Sequence, residues 1–264
     1  MNRKKRSFPL FPVSVGATLL ACLIAISCTF AFVFRTENIK TAGAGVRSRA
    51  LPIYSVQTQE KKIAISFDCA WGTDYTQELL NIMKKNGVRC TFFAVQFWVE
   101  KYPEFAQKIV EEGHELGTHS RTHSYMSKLS KSQIESELVS SSQAIEKATG
   151  QKTNLFRPPY GDYNDLLIHT AKDLGFYTIQ WSVDSLDWKN LSATEIALRV
   201  INGAKNGAII LCHNQGLHTA KALPMIFSTL KNKGYSFVPI GELIYKENYQ
   251  IDASGVQKPL QENS

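Results

Sequence analysis

Five clusters in this chain carry residue types that acid–base or metal chemistry uses. Asp68 follows the apolar run Ile63-Ala64-Ile65-Ser66-Phe67, and His119 and His123 stand four apart in His-Ser-Arg-Thr-His. Arg157 opens Arg-Pro-Pro-Tyr-Gly, Asp184 and Asp187 lie in Asp-Ser-Leu-Asp-Trp, and His213 ends Leu-Cys-His. Taken singly, each has an ordinary reading. Asp68 reads as a helix cap, Arg157 as a salt-bridge partner, Asp187 as a turn residue and His213 as a hydrogen-bonded core histidine. The two imidazoles share one face if their segment is helical, which suits a metal and suits plain solvation equally. His114, His169 and His218 join no cluster. The joint placement changes the weighting, because every cluster falls where a strand is predicted to end.

The elements that would place them alternate. Ile63 to Phe67 predicts a buried strand, and Thr73 to Asn86 predicts a helix that carries Leu79, Leu80, Ile82 and Met83 and stops at Gly87. A strand over Val88–Val95, a helix over Tyr102–Glu112 and a short strand over His114–Thr118 follow. Ser130 and Gln133 predict a capping box for a helix running to Thr149. Further strands are predicted at Leu155-Phe156, Tyr177–Val183, Ala208–Leu211 and Tyr235–Val238, separated by helices near 165–174, 194–204 and 220–233. Such alternation implies a parallel sheet covered by helices. About seven units of this kind predict an α/β fold, a distorted (β/α) barrel, with a doubly wound open sheet as the alternative. No glycine fingerprint follows the first strand, so a dinucleotide-binding fold has little support. In a barrel, functional groups gather where strands end.

The 264 residues are 44% apolar and 20% charged, which excludes a disordered chain, a collagen-like fibre and a polytopic membrane protein. Arg3, Lys4, Lys5 and Arg6 hold four of the seven net positive charges, and what remains gives no basic stripe for nucleic acid. After them, Val13 to Phe34 form an uncharged run of 22 residues. That run is long enough to span a bilayer and too long for the apolar part of a cleaved signal. The expected organisation is a cytoplasmic segment 1–12, a transmembrane helix 13–34, a linker 35–60, a catalytic domain 61–247 outside the cytoplasm, and a tail 248–264. A monomer in the cell membrane is expected. Cys69, Cys90 and Cys212 show no paired spacing and give no disulfide framework.

Residues 60–245 resemble the polysaccharide deacetylases of carbohydrate esterase family 4, the NodB-homology domain. His119 to His123 match H-[ST]-x-x-H, Arg157 to Gly161 match R-x-P-[YF]-G, Asp184 to Trp188 match D-x-x-D-W, and Leu211 to His213 match L-x-H. The variant Phe67-Asp68-Cys69-Ala70-Trp71-Gly72 is most similar to the sporulation branch of the family. The resemblance implies a divalent metal, zinc being the expected one, and hydrolysis of N-acetyl groups on an amino-sugar glycan such as peptidoglycan. It implies that Asp68 is the catalytic base and that Arg157 keeps it charged. His119 and His123 are then metal ligands, and the Tyr160 backbone N–H is an oxyanion donor. His213 becomes the general acid, oriented by Asp187, and Trp188 and Leu211 wall the acetyl pocket.

One position departs from the family. Its first motif normally reads T-F-D-D, with the second aspartate a metal ligand, and here Cys69 stands there. Three readings compete: Cys69 is a zinc thiolate, Asp74 supplies the third ligand, or Cys69 is core packing and the site binds metal weakly or not at all. The alternative to an active deacetylase is therefore a deacetylase-like protein that binds glycan or a partner without turnover. A small-molecule amidohydrolase fits the motif set less well.

Overall fold

The computed structural model describes residues 49–260. The expected span at 13–34 lies outside them; among the described residues no helix is long and apolar enough to cross a membrane.

The fold is built on β2 (Lys62–Cys69), buried at every position after Lys62. A strand covered on both faces reads as a continuous apolar run, as this one does. It pairs in parallel with β3 (Thr91–Ala94) on one side and β8 (Ile209–His213) on the other. Beyond β3 lie β4 (Glu115–Thr118), β5 (Leu155–Phe156) and β6 (Tyr177–Thr178); beyond β8 lies β7 (Val183–Asp184). Every pairing along this path is parallel. The predicted strand Tyr177–Val183 is thus two short strands at opposite edges of one curled sheet. The residues between them are claimed by the start of the described chain: the Ile53 carbonyl accepts the Gln180 N–H at 2.8 Å. The result is a distorted, incompletely closed barrel.

The helices match the pattern more closely. They are α1 (Thr76–Asn86), α2 (Gln96–Lys101), α3 (Pro103–Glu111), α4 (Lys131–Thr149), α5 (Asp165–Asp173), α6 (Ala193–Gly203), α7 (Thr219–Asn232) and the single turn α8 (Ile240–Leu243). The capping box at Ser130 and Gln133 forms, and Gly150 ends α4 in the left-handed conformation. β3 is shorter than expected, because the Val88 N–H is bonded to the Met83 carbonyl of α1. Residues expected to be linker and tail meet in a small sheet. β1 (Ser55–Val56) pairs in parallel with β11 (Val256–Pro259), which pairs antiparallel with β10 (Tyr249–Ile251). β9 (Ser236–Phe237) pairs with the start of β2.

Alternation along β2 sets what faces what. Ile63, Ile65, Phe67 and Cys69 pack outward in one core with Leu79 and Met83 of α1 and Ile226 of α7. Ala64 points the other way, into a second core with Phe93 and Ile209. Asp68, in step with Ala64, therefore faces the interior, and Cys69 does not.

Candidate active site

Asp68 and His213 are register partners on adjacent parallel strands, β2 and β8, so the sheet holds the two side by side. Asp68 is 7% exposed. Its Oδ1 accepts the Arg157 Nη1 at 2.8 Å, and its Oδ2 lies 3.5 Å from His119 Nε2. Burial alone would raise this carboxyl, but the Arg157 guanidinium, with the His119 and His213 imidazoles, holds it below the ordinary value. Arg157 is fully buried; Nη2 donates to the Gln180 carbonyl at 3.2 Å, and the guanidinium sits 4.2 Å over the Phe93 ring.

Asp187 opens a short 3₁₀ turn, Asp187–Lys189, after β7 and is fully buried. Its Oδ1 meets His213 Nδ1 at 2.7 Å, and its Oδ2 accepts the His213 backbone N–H at 2.8 Å and the Thr219 hydroxyl at 2.7 Å. Such a cage fixes the ring and leaves Nε2 as the outward atom. Burial pulls the His213 pKa down, but the Asp187 bond and charge outweigh it, with Asp68 and Asp184 adding to them, so the net shift is upward. Thr219 was not legible as a site residue. Gly216 was not either, yet a Cβ there would come within 2.0 Å of the Thr219 hydroxyl and 2.7 Å of Asp187 Oδ2.

His119 and His123 also meet, with ring centroids 5.0 Å apart. The helical face assumed for the pair is absent. Their segment is a loop that turns back through left-handed backbone at Ser120 (φ 72°) and His123 (φ 58°). The His119 Nδ1–H donates to the Arg157 carbonyl at 2.7 Å, leaving Nε2 with the lone pair, while His123 Nδ1 is 3.0 Å from the Tyr160 hydroxyl. Burial lowers the His119 pKa and brings His123 down to about 4. Glu137 on α4 holds this loop, accepting the Arg121 N–H, the Thr122 N–H and the Thr122 hydroxyl, each at 2.8 Å. Sequence reasoning missed it, although an acid on the buried face that carries Ile134, Leu138 and Ile145 was a usable signal.

The residues expected to complete a metal site do not join the imidazoles. Cys69 is fully buried, its Sγ is 3.8 Å from the Phe67 carbonyl, and burial, with Asp68 beside it, pushes the thiol pKa far up. In this structure it packs in the core with Phe67 and Leu79. Asp74 is exposed. Among the described residues, no three His, Cys, Asp or Glu side chains come together as a metal-holding group. The donors suit zinc in kind and fall short of the three protein ligands usual in a catalytic site. Of the expected pocket walls, Leu211 is buried and Trp188 is 56% exposed. Tyr160 takes left-handed backbone at φ 61°. A cavity of about 290 Å³ opens elsewhere, lined by Ile53, His169 and Ile251 among others. It contains none of the five clusters; the chemistry sits on an open rim.

Known proteins resemble this chain in sequence and fold. Residues 55–179 match the family model described as polysaccharide deacetylase. A peptidoglycan-N-acetylglucosamine deacetylase of Bacillus cereus is 36% identical over 196 residues, 72% of this chain and 92% of that one. The uncharacterized protein YlxY of Bacillus subtilis is 34% identical over 193 residues; the match takes in 73% of this chain and spans 60% of the relative's length. The crystal structure of BA3943 of Bacillus anthracis, described as a CE4 family pseudoenzyme, superposes with a TM-score of 0.70 at 33% identity, covering 80% of this chain and 73% of that one. A mutant of BA3943 is described as having restored enzymatic activity. With the motif residues gathered on one rim and a relative matched over nearly its whole length, the chain belongs to the polysaccharide deacetylase family.

Proposed function

We propose that this protein hydrolyses N-acetyl groups of amino sugars in a peptidoglycan-type glycan. The observation that carries the reading is the pairing of Asp68 with His213 across β2 and β8, each backed by its own buried partner. Asp68, kept ionised by Arg157, takes a proton from the water that attacks the acetyl carbonyl carbon. The Tyr160 N–H stabilises the oxyanion that forms. His213, protonated through Asp187, gives its proton to the nitrogen as the carbon–nitrogen bond breaks, leaving acetate and a free amine. Trp188 and Leu211 flank the acetyl methyl. His119 and His123, without a third protein ligand among the described residues, take no part in these steps. The reading includes a membrane anchor at 13–34 with the domain outside the cell, supported by the length of the uncharged run. It also includes a sporulation role, supported by the basic N-terminus, the single uncharged run and the Phe67-to-Gly72 variant, which together resemble the sporulation branch of the family.

The burial of Cys69 favours a second reading, glycan binding without turnover. Acetate release from N-acetylated peptidoglycan by the purified full chain decides between them. Release that disappears in Asp68→Asn and in His213→Gln supports the first; no release from a protein that still binds glycan supports the second. Protease added to intact protoplasts should remove the domain, and protection would overturn the anchor.

A further inference from the structure

The reaction uses groups where the strands end and leaves unexplained a sulfur-rich cluster where they begin. Met83 comes from the last turn of α1, Cys90 stands one residue before β3, and His114 one residue before β4. Asp68 and His213 lie at the other ends of β2 and β8. Cys90 is the centre of the cluster. Its Sγ donates to Met83 Sδ at 3.2 Å and lies 3.5 Å from His114 Nδ1. Met83 and Cys90 are fully buried, and His114 is 4% exposed.

Each of the three can present a lone pair. The Cys90 backbone N–H points at His114 Nδ1 from 3.3 Å, so that nitrogen is an acceptor and the ring proton sits on Nε2. Burial, with the Arg89 charge nearby, brings the His114 pKa to about 4, so the ring is neutral at ordinary pH. Burial also holds the Cys90 thiol protonated. The ordinary reading is a thiol hydrogen-bonded inside a core. A single S–H serves one acceptor, however, and here two acceptors face it. The one left over has only the N–H contact, which is longer than a good hydrogen bond and costs little to give up.

We propose that Met83, Cys90 and His114 form a binding site for a soft univalent cation, copper(I). Cys90 Sγ bonds to the ion as its proton leaves for solvent, and Met83 Sδ and His114 Nδ1 each contribute a lone pair. Copper stays at +1 and no electron is transferred. Charge selects the valence: one thiolate and one univalent ion sum to zero, which a dry core tolerates, whereas zinc(II) would leave a buried positive charge. Donor type agrees, since thiolate and thioether select copper(I). An ion held at roughly 2.0–2.3 Å by each donor needs them about 3.5–4 Å apart. That is slightly wider than the present spacing, and the flexible Met83 side chain can supply the difference. The ion would tie α1 to the starts of β3 and β4, and so act on stability and not on the rim.

The test is anaerobic titration of copper(I) into the purified full chain carrying Cys22→Ser and Cys28→Ser, with bicinchoninate as the competing chelator. One copper(I) per chain should bind, with a thiolate-to-copper absorption band and a raised melting temperature, and excess zinc(II) should not displace it. Cys90→Ser and His114→Gln should each lose the band and the binding. Met83→Leu, which nearly keeps the side-chain volume, should weaken binding at least about tenfold, the scale of a lost partner at a metal site, with little change in the copper-free melting temperature. No stoichiometric copper(I), displacement by zinc(II), or full affinity in Cys90→Ser or in Met83→Leu would overturn the proposal. Should Cys90→Ser fail to fold, X-ray absorption of the copper-loaded protein decides: two sulfurs and one nitrogen around copper support the site, and a shell without sulfur refutes it.

Discussion

The two carboxylate pairs and the imidazole pair are built to different standards of completeness. Asp68 and Asp187 are both nearly or fully buried, and both have their charge answered inside the protein, one by Arg157 and one by His213 and Thr219. His119 and His123 are positioned with comparable care by Arg157, Tyr160 and the Glu137 clamp, yet their donor set stops at two. Residues that must carry charge in a dry interior cannot persist unpaired. Neutral imidazoles can, so the half of the site that would hold a metal tolerates the loss of a ligand without loss of fold. The difference shows that intact Asp68–Arg157 and Asp187–His213 pairs are compatible with an imidazole pair that stops at two donors.

The sharpest way to break the contrast is to remove the partner of a buried charge. Arg157→Met leaves Asp68 unpaired and should cost about 3–5 kcal/mol of stability, seen as a lower midpoint in urea; a loss close to zero would mean that Asp68 is not dependent on Arg157. Cys69→Asp probes the other half. A carboxylate on the core face of β2 should cost about 2–3 kcal/mol, and added zinc should not restore the melting temperature, because position 69 faces the core and not the imidazoles. A fall that zinc reverses would mean that the new carboxylate swings out of the core to reach His119 and His123.

Glu137→Ala strips three donors of their acceptor and should cost about 1–3 kcal/mol, with faster amide exchange confined to residues 119–125; unchanged exchange there would remove the clamp from the account. The smallest effect is on pH dependence. Asp68, with its pKa held below the ordinary 3.8, stabilises the fold above that value, and this contribution is lost as pH falls through the folded-state value. His213, raised above 6.5, stabilises it fully below 6.5, and this contribution is lost as pH rises through the folded-state value. Denaturation midpoints across pH should therefore show an alkaline decline in the native protein that is missing in His213→Gln.

Much of this was legible in the chain. Strand and helix order followed from periodicity, because each element buries one stripe or face. The five clusters were legible because a strand end is both a sequence position and a place on the barrel rim. The helix at Lys131–Thr149 was legible down to its capping box, since capping is local. The run Tyr177–Val183 was not, because which edge a short strand joins depends on Ile53, more than a hundred residues away in sequence. The His119–His123 contact was foreseen for the wrong reason, since left-handed turns at Ser120 and His123 bring the rings together where helical spacing was assumed. Residue types and spacing by themselves determined that a carboxylate, a guanidinium and imidazoles would share a rim. Tertiary structure alone decided that Asp68 faces the interior and Cys69 the core, because alternation along β2 assigns adjacent side chains to opposite faces and only the packing of α1 and α7 says which face is which.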